Sequence, residues 1–126
     1  TAINRSYAAQ PVEGIVLSAV DSMDARIRIW KALKVNRKVR LHLDTRMGAE
    51  VGKILAVNPS DPMSVNAYEE ELYPSKDAFH APCTARATTY CASGLAALVA
   101  AKVGKVLLGR PYRKQVVIDF RQAVMM

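Results

Sequence analysis

Two thiols, one carboxylate that closes an apolar run, and a few nearby cations are the side chains in this sequence equipped for chemistry. Cys83 stands in the segment APCTAR, between Pro82 and Thr84, with Arg86 close behind. A thiol in such a polar loop is exposed, and a neighbouring guanidinium favours the thiolate, the form that attacks an acyl carbon. Cys91 stands just before the run ASGLAALVAAKVGKVLL. The positive end of a helix would lower a thiol pKa there, whereas burial among Ala and Leu would leave the thiol inert. Asp21 closes the run EGIVLSAV. At the carboxyl end of a parallel strand a carboxylate can hold Mg²⁺ against phosphates; the competing role is to cap the helix that follows. Arg26 either pairs with Asp21 or Asp24 or decorates the surface. Arg46 and Gly48 read as a solvated arginine beside a turn glycine. Neither histidine reads as a ligand: His42 alternates with apolar neighbours as an exposed or sheet-covering residue, and His80 belongs to a loop.

The elements that position these groups follow from patterning. Residues Glu13 to Val20 are nearly all apolar and rich in branched side chains, which suits a strand buried on both faces of a parallel sheet. Ser22 or Asp21 then caps a helix with Met23, Ile27, Trp30 and Lys34 on one face, covering the sheet through Ile27 and Trp30. A second strand spans Lys38 to Asp44, with Val39, Leu41 and Leu43 alternating against Arg40 and His42. One helix between two strands predicts a parallel crossover. After the DTRMGAE turn, Val51 to Val57 returns as an antiparallel strand and stops at NPSDP. A short helix falls between Asp61 and Leu72, and residues 73 to 82 read as loop. Ala92 to Leu108 forms a small-residue helix that packs closely on its neighbours and ends at Gly109, Arg110 and Pro111. Gln115 to Phe120 is the last strand. The fold class is α/β.

Composition narrows the function classes. A length of 126 residues suits one domain, or part of one, so residues 1–126 are read as a single piece. The chain starts at Thr1 without the features of a secretory leader, and looks cut from something longer. No uncharged apolar run reaches the roughly 18 residues needed to cross a bilayer, so a soluble protein with no membrane partner is expected. Two cysteines and two well-separated histidines make neither a disulfide framework nor a four-ligand zinc site, and a reducing cytoplasm fits them best. The formal charge of +7 has its densest cluster at Lys31, Lys34, Arg37, Lys38 and Arg40. No aromatic residues are interleaved there for base stacking, so the cluster reads as a solvated corner and argues against a nucleic-acid partner.

The order of these features resembles the ThiF/MoeB and ubiquitin-activating family: a buried strand into Asp21, Ser22, Met23, Asp24, Ala25 and Arg26; a strand and a glycine turn; a loop with Pro82, Cys83 and Thr84; and an Ala-rich helix into Leu107, Leu108 and Gly109. The similarity covers about residues 12 to 120. It implies a Rossmann-like layered fold with a mixed parallel and antiparallel sheet, of which this chain is the C-terminal half of the adenylating domain. The function it implies is ATP-dependent adenylation of the C-terminal carboxylate of a ubiquitin-like or sulfur-carrier protein. In that setting Asp21 contacts Mg²⁺ and ATP, Arg26 belongs to the nucleotide site, and Cys83 takes the acyl group. A homodimer is implied, and zinc is not expected, since the paired cysteines that some relatives use for it are absent. The glycine-rich nucleotide loop is also missing. A second reading is a non-catalytic homologue that binds a partner or dimerises; a third, a dinucleotide-binding fragment, lacks its glycine fingerprint.

Alkylation by limiting iodoacetamide followed by peptide mass analysis should label Cys83 well ahead of Cys91 in the folded protein. Preferential labelling of Cys91 would place the reactive thiol at the wrong residue.

Overall fold

The computed structural model describes residues 2–74 and 88–126. Cys83 and His80, with the rest of the PCT segment, lie outside the described residues. Strand β1 (Gly14–Ser18), helix α1 (Met23–Lys34) and strand β2 (Val39–Met47) are followed by β3 (Val51–Val57), α2 (Pro62–Glu69), α3 (Thr89–Leu107), β4 (Gln115–Asp119) and β5 (Val124–Met125). The strands form an open five-stranded sheet in the order β1-β2-β3-β4-β5. The β1–β2 pair is parallel and the other three are antiparallel. The α/β class and the mixed sheet are therefore as the patterning predicts, with β5 an addition that its two-residue length hid.

Period-two alternation sorts the central strands between two cores. Leu41, Leu43, Ile54 and Ala56 pack against Leu95 and Val99 of α3, while Leu55 and Val57 join Trp30, Leu33, Val65 and Tyr68 under α1 and α2. Helices on both faces cover the middle of β2, where His42 and Asp44 are fully buried along with Leu41 and Leu43, while Arg40 and Met47 toward its ends stay exposed. The expected alternation to a polar face fails at these two residues for that reason. β2 also runs on through Arg46 to Met47, beyond the expected end at Asp44.

Helix α1 starts at Ser22, whose Oγ accepts from the Ala25 amide. Its buried face is Met23, Arg26, Trp30 and Leu33 rather than Met23, Ile27, Trp30 and Lys34. Arg26 displaces Ile27 from the interior because a buried carboxylate waits for it. In α3 the buried positions Cys91, Leu95, Val99 and Lys102 recur at helical spacing, and Gly109 follows the helix at φ +64°, the left-handed conformation that glycine adopts at no steric cost. By length and composition the 19-residue α3 could cross a membrane. It lies on the sheet through the buried positions just named.

Close approach of α3 to β3 depends on Gly52, where an added Cβ would sit 2.6 Å from Leu95 Cγ. Gly52→Ala should destabilise the fold by about 1–3 kcal/mol, read as a lower urea midpoint with an unchanged slope. Leu95→Ala in the same chain should relieve part of that cost, so that the two changes are less than additive.

Candidate functional site

At the end of the sheet where β1 and β2 both finish, one buried carboxylate gathers the neighbouring elements. Asp44 Oδ1 accepts from Arg26 Nε at 3.0 Å and from Ser18 Oγ at 3.4 Å; Oδ2 accepts from Arg46 Nε at 2.9 Å and from the Tyr68 hydroxyl at 3.2 Å. Four donors meet about four lone-pair positions, which is what a fully desolvated carboxylate needs. The donors come from α1, β1, β2 and α2. The chain of charge continues outward: Arg46 Nη1 donates to the Glu71 carbonyl at 2.9 Å, and the Glu71 carboxylate meets Lys53 at 2.7 Å. Arg46 is thus a partly buried strand residue held at both ends, not a solvated residue of the turn.

Beside Asp44, the fully buried His42 stacks on Trp30 at a centroid distance of 5.9 Å and meets the Tyr68 ring edge-on. Its Nε2 lies 2.8 Å from Ser18 Oγ. A hydroxyl has one proton, and with that proton directed to Asp44 the imidazole must donate through Nε2. Nδ1 is then a bare acceptor, consistent with its lack of a hydrogen-bond partner among the described residues. Burial is the largest influence on this ring and lowers its pKa from 6.5 to about 4, against the opposing pull of Asp44. Burial likewise raises the Tyr68 hydroxyl, helped by the Asp44 charge, and keeps it a donor.

Arg26 carries the network to the strand end. Its Nη2 donates to the Val20 carbonyl and, at 3.0 Å, to the Thr45 carbonyl, while Thr45 Oγ1 donates to the Ser18 carbonyl at 3.0 Å. These bonds hold the link between β1 and α1 against the end of β2. Asp21 sits in that link, exposed at its tip. Since Ser22 does the capping, Asp21 is released from the competing role, and among the described residues no hydrogen bond or ion pair engages it. Asp21 lines a cavity of 620 Å³ whose other walls include Leu17, Met47, Ala92, Leu95, Ala96 and Ala100. The alanines at every fourth position of α3 keep this wall low.

The structure thus brings Arg26 and Asp21 to the same strand end, Arg26 buried and bonded to the Val20 carbonyl, Asp21 exposed in the link that follows. Among the described residues no group of three or more His, Cys, Asp or Glu side chains is placed to hold a metal. Cys91 lies inside the first turn of α3, fully buried, and burial raises its thiol pKa, so the helix end does not activate it. Ser18, Asp44 and Tyr68 were not singled out from the sequence. Their one signal is His42, Asp44 and Arg46 at a spacing of two, a polar row that a strand covered on both faces must bury. In comparison with known proteins the chain matches no family model and no curated sequence.

An unfolded His42 takes its proton near pH 6.5, and the folded one resists until about pH 4. Its contribution to stability is therefore complete above pH 6.5 and is lost as pH falls toward 4, by about 3 kcal/mol in total. Urea midpoints measured from about pH 7.5 down to about pH 4.5 should show this decline, and His42→Gln should flatten it.

Proposed function

We infer that this chain supplies the distal half of an ATP-dependent activating enzyme that adenylates the C-terminal carboxylate of a ubiquitin-like or sulfur-carrier protein. The observation that carries this reading is the position of Asp21: free of the helix cap, at the carboxyl end of the parallel β1–α1–β2 unit, on the wall of the 620 Å³ cavity. Open α/β sheets bind their ligands at such strand ends. In this reading the sheet is the distal part of a Rossmann-like fold. Support comes from β1, the outer member of the parallel pair, whose far edge has no partner among the described residues.

The reaction is attack by the partner's carboxylate on the α-phosphorus of ATP, with pyrophosphate leaving and an acyl adenylate formed. Mg²⁺ at Asp21 would draw off charge on the phosphates. Arg26 serves the nucleotide site by fixing the Val20 carbonyl next to Asp21. In this reading the extended tail lies against the apolar cavity wall that Ala92, Ala96 and Ala100 form in the same cavity as Asp21. The Cys83 thiolate would then attack the acyl carbon and expel AMP, a step that rests on the sequence alone because Cys83 lies outside the described residues. A rival reading, a non-catalytic homologue that dimerises or binds a partner, draws on Leu17 and Met47, about half exposed at 50% and 43% along the same cavity.

This chain alone should catalyse no ATP–pyrophosphate exchange. Joined to a half that carries the glycine-rich loop, it should do so, and Asp21→Asn should lower the exchange by about 100-fold or more with the urea midpoint unchanged. Exchange by the 126-residue chain on its own would overturn the half-site reading, and unchanged exchange in D21N would remove Asp21 from the site.

A further inference from the structure

A second cavity, of 310 Å³, lies on the far side of α3, between that helix and β4 and β5, away from Asp21. Its apolar walls include Leu98, Val116 and Met125, and three cations line it: Lys102, Lys105 and Arg113. Lys102 is the unusual one, because as a residue it is only 5% exposed. A buried ammonium is costly unless an opposite charge faces it. No carboxylate pairs with Lys102, Lys105 or Arg113 among the described residues; Lys102 Nζ has instead the Arg113 backbone carbonyl as acceptor and the Tyr112 ring, 5.5 Å away. The carbonyl takes one of three N–H groups, leaving two to donate. Burial, and after it the positive Lys105, hold this ammonium below the ordinary lysine range.

We propose that this cavity binds a small amphipathic carboxylate, with its head group between Lys102 and Lys105 and its hydrocarbon tail against Leu98, Val116 and Met125. The volume is at the small end for ligand pockets, which suits a short acyl chain rather than a nucleotide. A carboxylate supplies the missing negative charge and two acceptors for the unused Lys102 protons. The methionine brings a flexible thioether that adapts to a chain of variable shape. Tyr112 and Arg113 lie in the connection from α3 to β4, so the site joins that connection to the helix.

Octanoate is the probe. Titrated into the isotope-labelled chain, it should give saturable amide shifts confined to residues 98–105, 112–116 and 125–126, with octanol and octylamine binding at least about tenfold more weakly. Lys102→Met should reduce octanoate affinity by about tenfold or more; if that variant fails to fold, the exposed-site double variant Lys105→Gln/Arg113→Gln, which leaves the core untouched, should weaken binding severalfold. Octanol binding as tightly as octanoate would reduce the site to an apolar crevice and overturn the assignment. Shifts that spread over the surface without saturation, or octanoate affinity unchanged in the double variant, would do the same.

Discussion

Burial of the Asp44 carboxylate at the end of β2 is the constraint around which the rest of this fold is arranged. An ionised carboxylate with no access to water must have its lone pairs satisfied by donors inside the protein, and at Asp44 those donors come from four different elements. The requirement explains the rotation of α1, which turns Arg26 inward at the expense of Ile27. It explains why α2 sits over β2 and β3, where Tyr68 can reach the second oxygen. It also explains the inward set of Arg46, whose other nitrogens would face solvent in an ordinary hairpin.

The same network determines what the strand end can do. Arg26 spends one N–H on Asp44 and others on the carbonyls of Val20 and Thr45, so the short link between β1 and α1 is tied from below. With Ser22 supplying the helix cap, Asp21 is left as an uncommitted negative charge on a rigid mount, beside a cavity whose far wall is lined with alanine.

The two faces of α3 have different characters for a related reason. Toward β2 and β3 the helix presents Leu95 and Val99 to a glycine and to leucines, and the approach is close enough that Gly52 admits no side chain. Toward β4 it presents Lys102, whose stem packs with the apolar residues while its ammonium must find acceptors locally. The first face packs closely at Gly52 and walls the apolar 620 Å³ cavity along its alanines, and the other carries unbalanced positive charge around an apolar hollow.

Strand and helix positions were legible in the sequence because they follow from local patterning: the apolar run at 13–20, the alternation after Lys38, the breakers at 58–62 and the Ala-rich stretch before Gly109 each carry their period in adjacent residues. The parallel crossover was legible too, since one helix between two strands permits little else. Which side of α1 faces inward was not, because Arg26 and Ile27 are both reasonable helix residues and only a carboxylate brought from a strand by folding decides between them. Nor was the burial of His42, Asp44 and Arg46, since a row of polar residues at a spacing of two reads as a solvated face until helices are known to cover both sides of the strand. Asp21 shows the division most clearly. Its place in the link just after β1 is written in the residue order, but its lack of a structural partner among the described residues was decided by the tertiary structure, where Ser22 takes the cap and Arg26 turns to Asp44.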